Sequence, residues 1–346
     1  MPEKMKAMAL TAPKTIVPMA WDKPVVTPGN VLIRNLATGI CGSDLHVFND
    51  ANADGSIPYP YLLGHESAGE VVEVGEGVTN LKVGDRVTME PGYTCGKCIY
   101  CKTGRYNLCP DVIFFATVPV QGTLCEYVSH PADMCFKLPD NVDAVEGALV
   151  EPLAVGLHAV NLGDAKPGKS AIVLGSGCIG LCTMLALNAY GIHDVYITDV
   201  LDLRLDMAKS LGGKTLNASQ VDVGEYIMDQ THGFGIDMVF DTTGSPAATA
   251  TAVDLAARGG YIGLVGIYPS GQGTFPINFG KILDKEVSIQ SIFRYRNLYP
   301  TAIAAVKAGL PLKKIVSHYY SFDQAGEGFT FNTENKADVV KAVITY

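Results

Sequence analysis

The chain has 346 residues and is short of charge: only 18% are Asp, Glu, Lys or Arg, which excludes a disordered polyampholyte. It is shorter still of positive charge, with 26 Lys and Arg against 35 Asp and Glu and a formal net charge of −9. A nucleic-acid surface needs clustered cations to neutralise phosphates, so no nucleic-acid partner is expected. Residues 1–14 hold no apolar segment of secretory length and no small-residue cleavage site, which points to a cytoplasmic location. A long uniform apolar helix is also missing. The longest uncharged stretch, 171–193, carries Gly175, Gly177 and Gly180 early and Asn188 late. That pattern reads as a strand, a tight turn and a buried helix, and no membrane span is expected. No internal repeat or low-complexity segment occurs.

What is present is enough apolar material, 48% of residues, to fill two cores, and the length suggests two domains. The first half is rich in Gly, Pro and Val, with short strand-like runs at 31–35, 69–74 and 86–90 broken by turn residues. This predicts a β-rich, partly open barrel. From 171 onward, apolar strands at 171–174, 195–198, 238–241 and 261–265 alternate with helical runs at 179–190, 203–211 and 247–257. Such alternation predicts a parallel sheet covered by helices on both faces. A helix is expected over 153–161, and the strand-like run 337–345 is expected to return to the first domain.

Nine cysteines without a signal peptide imply reduced thiols rather than a disulfide framework. Four of them, Cys95, Cys98, Cys101 and Cys109, follow a Cys-x2-Cys-x2-Cys-x7-Cys spacing. Four thiolates from one short loop can enclose a tetrahedral zinc ion with no open position, a structural site. The spacing differs from the common ferredoxin runs, which disfavours an iron–sulfur cluster.

The run Gly175-Ser176-Gly177-Cys178-Ile179-Gly180 follows a predicted strand and opens a predicted helix. It suits a dinucleotide pyrophosphate lying against a helix N-terminus. Asp199, at the end of the next strand, is placed to bind ribose hydroxyls and to repel a 2′-phosphate, favouring NAD over NADP. Arg204 nearby could instead accommodate that phosphate. Two further clusters, Cys41-Gly42-Ser43-Asp44-x-His46 and Gly64-His65-Glu66-x-x-Gly69, together with Glu151, offer thiolate, imidazole and carboxylate donors. Three such ligands with one open position would make a catalytic metal site.

The string Gly64-His65-Glu66-Ser67-Ala68-Gly69, with Gly75 and Val78, resembles the zinc signature of medium-chain dehydrogenases/reductases. The cysteine lobe and glycine turn fall in that family's order, and the resemblance covers nearly the whole chain. Within the family the similarity is to polyol dehydrogenases of the sorbitol and xylitol type. It is carried by 104–108, 114–117, 137–142, 147–153 and 293–295. The fold implied is α/β: a Rossmann doubly wound parallel sheet over 154–290, and a GroES-like catalytic domain over 1–153 and 291–346.

The same resemblance implies two zinc ions per subunit. Cys41, His65 and Glu66 would hold the catalytic one, and Glu151 would be an occasional ligand or a partner of its water. Ser43 and His46 would pass the substrate proton toward solvent. Arg294 and Tyr295 would contact the polyol, and Phe114 and Thr117 would line its pocket. Val47 stands where animal sorbitol dehydrogenases carry tyrosine, and all four lobe cysteines, largely lost in those enzymes, are kept here. The implied reaction is NAD-dependent oxidation of a four- to six-carbon polyol to a ketose, in a cleft between domains. A homo-oligomer, tetramer or dimer, is implied, paired through an edge strand of the nucleotide domain. The alternatives are a zinc dehydrogenase for a hexitol phosphate, threonine or butanediol, and a non-catalytic dinucleotide sensor.

Overall fold

The apolar run Ala171–Leu174 forms a strand with every residue buried, as a parallel strand covered on both faces must be. It is an inner strand of a six-stranded sheet in the computed structural model, which describes residues 3–50, 56–268 and 273–346. The spatial order is Lys214–Asn217, Val195–Asp199, Ala171–Leu174, Ile236–Asp241, Ala256–Leu264, Ser288–Ser291. All neighbouring pairs are parallel. Numbered along the chain, that order is 3-2-1-4-5-6, the doubly wound arrangement. The strand order therefore reverses beside Ala171–Leu174, and the glycine turn lies in the loop that this strand feeds. On one face Ile172, Leu174, Val239 and Ile262 pack with Ile227 and Leu255 into a dry core. Each fully buried aliphatic side chain there contributes about 1.5–3 kcal/mol.

The β-rich part is organised around one long strand, Asn30–Ile40. It pairs antiparallel with Glu66–Val74, with Tyr127–Pro131 and with Ala342–Thr345. The sheet continues outward to His318–Ser321 on one side and to Arg86–Met89 and Cys135–Lys137 on the other. A hairpin of Lys4–Ala12 and Thr15–Asp22 stands beside it. The central strand outlasts the expected 31–35 because its second half, Ala37 to Ile40, is also buried. Its partner begins at Glu66, not at 69, and their register sets Gly39 opposite Glu66. The strand leading to Cys41 and the strand following His65 thus meet at their ends.

Two other expectations are corrected. The helix expected over 153–161 runs from Ala144 to Leu162, with Pro152 inside it. Its start is set by a reciprocal capping pair: Glu146 N donates to Asp143 Oδ1 at 2.9 Å, and Asp143 N donates to Glu146 Oε2 at 3.1 Å. The strand-like run 337–345 is a strand only over Ala342–Thr345.

The chain divides into two units, Met1–Glu151 with Tyr299–Tyr346, and Pro152–Leu298. The divisions fall at 151/152 and 298/299, where the sequence suggested 153/154 and 290/291. Among the described residues no helix is long and apolar enough to cross a membrane.

Candidate functional site

Sheet register and one short helix assemble the first cluster. Cys41 follows the central strand and precedes the helix Gly42–Asp50, and His65 and Glu66 stand where the neighbouring strand begins. Donor atoms of Cys41, His65 and Glu66 lie within 4.8 Å of one another, and His65 and Glu66 are buried. Ser43, on the first turn of the helix, donates from Oγ to Cys41 Sγ at 3.2 Å. His46, one helical turn further, is exposed.

Asp44, to which the sequence reading gave no role, orders this cluster. Its Oδ1 lies 3.4 Å from His65 Nδ1 and accepts from Gly64 N at 3.1 Å, while Oδ2 accepts from Cys41 N at 3.3 Å. Burial alone would raise the Asp44 carboxyl, but His65 and these two amides outweigh it and hold the group below its ordinary value. For His65, burial favours the neutral ring. The charges of Asp44 and Cys41 oppose burial and prevail, raising the imidazole well above its usual range. With Nδ1 turned to a carboxylate, Nε2 is the nitrogen available to an ion, a common arrangement for metal-binding histidines. Phe114, expected as a pocket residue, packs its ring 5.7 Å from that of His65.

Thr117 sits on an exposed turn, with its N–H bonded to Phe114 O at 3.2 Å. Arg294 and Tyr295 fall in the second unit, with Tyr295 buried and Arg294 over the Phe293 ring at 4.8 Å. Glu151 is buried on the helix Ala144–Leu162 and is not a member of the three-residue donor group.

The second cluster is the cysteine lobe. Cys95, Cys98, Cys101 and Cys109 bring their sulfurs within 4.8 Å of one another. The separations are 3.4 Å for Cys98–Cys101, 3.6 Å for Cys95–Cys109 and 4.0 Å for Cys95–Cys101. Zinc–thiolate bonds of about 2.3 Å in a tetrahedron give an edge of about 3.8 Å, so these sulfurs fit a closed zinc site. All four are free thiols. The amides of Lys97 and Cys98 lower the Cys95 thiol, favouring the thiolate that a metal needs. Tyr106, between Cys101 and Cys109, donates to Glu90 Oε1 at 2.6 Å and ties the lobe to the end of the strand Arg86–Met89. Burial pushes Glu90 up to about 7, Tyr106 works against that rise, and Glu151 adds to it. His130 anchors the same corner, its Nε2 lying 2.8 Å from Glu90 O, and burial pushes it down to about 4.

In the second unit the glycine turn has the geometry its sequence implied. Gly175 adopts φ +93°, and a Cβ at Gly180 would overlap the carbonyl oxygen of Gly175. The helix Cys178–Ala189 can therefore lie close against its strand. Gly177 caps it with no side-chain acceptor for the first amides, which suits an anion. Asp199 ends its strand as expected, and its carboxylate also has structural work. Oδ2 accepts from Ser176 N at 2.9 Å, and Oδ1 accepts from Val200 N at 2.8 Å and Leu201 N at 3.1 Å. Arg204 Nη1 stands 3.9 Å from Asp199 Oδ2.

Residues 27–140 match the alcohol dehydrogenase GroES-like domain, and residues 178–308 match the zinc-binding dehydrogenase domain. An uncharacterized zinc-type alcohol dehydrogenase-like protein of Escherichia coli strain K12 is 44% identical, over 97% of each chain. A sorbitol dehydrogenase of Bacillus subtilis strain 168 is 38% identical, over 99% of this chain and 98% of its own. A crystal structure of an Escherichia coli oxidoreductase/dehydrogenase of unknown specificity superposes with a TM-score of 0.95 at 43% identity, covering 99% of each chain. The chain belongs to the zinc-dependent medium-chain dehydrogenase/reductase family.

Proposed function

We propose that this dehydrogenase oxidises a secondary hydroxyl of a four- to six-carbon polyol to a ketose with NAD, using zinc held by Cys41, His65 and Glu66. The observation that carries this reading is the donor set itself. One thiolate, one imidazole and one carboxylate converge within 4.8 Å, and three ligands suit a site that keeps an open position. When bound, zinc supplies Lewis acidity toward the substrate hydroxyl and the nicotinamide accepts the hydride.

The chain's own residues do the rest. Asp44 fixes the His65 ring, and Phe114 packs against that ring, giving the site an apolar wall. Ser43, half-buried beside Cys41, and exposed His46 on the same helix are suited to carry the substrate proton outward. Glu151 is a buried carboxylate for the water or the substrate hydroxyl, and Arg294, Tyr295 and Thr117 are assigned to polyol contact. Cys95, Cys98, Cys101 and Cys109 hold a second, structural zinc. In the nucleotide unit, Gly175, Gly177, Cys178, Ile179 and Gly180 take the pyrophosphate and Asp199 the ribose. Arg204 is engaged near Asp199, which supports NAD over NADP.

The test is NADH formation with a panel of tetritols, pentitols and hexitols alongside hexitol phosphates, threonine and butanediol. Turnover confined to unphosphorylated polyols is expected. Preference for a phosphorylated substrate, threonine or butanediol would move the assignment to another zinc dehydrogenase. Dinucleotide binding without any turnover would make the protein a sensor.

A further inference from the structure

Glu66 has a partner that the zinc signature does not include. Lys341 Nζ stands 2.7 Å from Glu66 Oε1 and 2.5 Å from Oε2, and also donates to Ile40 O at 3.0 Å. Both side chains are buried, Lys341 at 3% and Glu66 at 1% exposure. A buried ammonium and a buried carboxylate persist only as a hydrogen-bonded pair, because each alone carries an uncompensated desolvation cost. The bond to Ile40 reaches the residue directly before Cys41. A side chain at Gly39 would overlap Glu66 Oε2, so the carboxylate lies against the central strand. One cation, entering just before the last strand, thus clamps the two segments that deliver all three donors, Cys41 on one and His65 and Glu66 on the other.

Only Oε1 accepts a hydrogen bond from the ammonium; Oε2, at ion-pair distance from it, has none of its own, and a carboxylate so paired has less electron density to give a metal ion. The same ammonium repels a divalent cation across a poorly screened interior. Without the metal it has the opposite value, since it neutralises Glu66 and keeps the empty donor set in place. We infer that Lys341 is a positioning residue that preforms Glu66 as a ligand and at the same time attenuates it, holding the ion at this centre less tightly than the donor set alone would. The inference rests on the reading of Cys41, His65 and Glu66 as a metal site. It goes beyond that reading by making the third ligand exchangeable between metal and lysine.

The test uses the full-length protein with its cysteine lobe left zinc-loaded. Cobalt(II) is titrated into the emptied first centre of the wild type, K341M and K341R, with affinity read from the thiolate–cobalt absorption in competition with a chelator. K341M is expected to bind about tenfold more tightly, because the repelling charge is gone while the carboxylate remains. Its melting temperature is expected to fall more in the emptied than in the loaded form, since only the ion then neutralises Glu66. K341R, which keeps the charge, is expected to stay near the wild type in both readouts. If emptied K341M does not fold, the rate of metal loss from the loaded form to excess chelator is measured, and slower loss than the wild type is expected. Equal or weaker cobalt binding, equal melting losses in both forms, or metal loss as fast as the wild type would each overturn the proposal. A wild-type protein showing no thiolate–cobalt band would refute the metal-site reading beneath it.

Discussion

At the scale of single residues, the side chains that converge into the two clusters were legible and the groups that orient them were not. Cys41, His65, Glu66 and the four lobe cysteines are recognisable because soft and imidazole ligands at short spacing are rare outside metal sites. Asp44 stands inside the same string, yet its bond to His65 Nδ1 depends on the bend between the central strand and the helix that follows. Lys341 lies 275 positions from Glu66, and no local pattern announces it. Removing the orienting charge with D44N is expected to weaken metal binding at the Cys41 centre by roughly 10–100-fold while leaving the lobe loaded. Unchanged affinity in a cobalt titration would deny Asp44 that role.

Acid stability offers a second test at this scale. Asp85 Oδ1 accepts from Lys137 Nζ at 2.7 Å and Lys82 Nζ at 2.9 Å, and Oδ2 accepts from Lys82 N at 3.0 Å. Lys137, foremost, and Lys82 hold its carboxyl down at about 2. The unfolded chain therefore takes up this proton first as the pH falls. The stabilisation is complete above the ordinary value of 3.8 and drains away as the pH drops through about 2. Because both lysine side chains are largely exposed, solvent screening discounts it to about 1–2 kcal/mol. D85N should cost that much in a denaturant melt at pH 7 and progressively less between pH 4 and pH 2. A loss independent of pH would show that shape, not charge, matters there.

At the scale of elements, strands and helices with a clean apolar period were legible, and their ends were governed by contacts the period does not encode. The four expected nucleotide strands begin or end within a few residues of expectation because most of their residues are buried. By contrast, the helix Ala144–Leu162 was read as starting after Pro152. The missing amide of a proline ordinarily breaks a helix, whereas here the Asp143–Glu146 cap commits the chain nine residues earlier. The strand Glu66–Val74 starts early for a similar reason, since pairing with Asn30–Ile40 extends it into the metal motif.

The lobe gathers four sulfurs but little apolar core: Ile99, Tyr100 and Leu108 are all exposed. C98S should lower the melting temperature and release one zinc per chain, because a closed metal site contributes folding free energy directly. A variant that melts with the wild type would contradict a structural ion. G180A should force the helix Cys178–Ala189 away from its strand, costing about 1–3 kcal/mol and most of the dinucleotide affinity. An unaltered NADH fluorescence titration would contradict that packing argument.

At the scale of the whole molecule, the two-part architecture was legible from the change of rhythm along the chain, and the family from its motifs taken in order. The assembly state was not. The nucleotide sheet ends in Ser288–Ser291, a strand exposed along its whole length, and the helix Phe279–Lys285 beside it leaves Phe279 71% and Leu283 81% exposed. An open strand edge next to large apolar side chains favours pairing with a second copy. Light scattering is expected to give a dimer or tetramer for the wild type, and L283E is expected to shift it toward monomer. A monomeric wild type would remove this surface from the account.

Everything at this scale depends on the ion at Cys41, His65 and Glu66 being the one that catalysis needs. The direct measurement is the zinc content of purified wild type and C41S, determined together with polyol-dependent NADH formation and NADH binding. Two zinc ions per wild-type chain are expected, against one per C41S chain, with turnover abolished and NADH binding retained in the variant. A C41S protein that still carried two zinc ions, or that still turned over, would contradict the assignment.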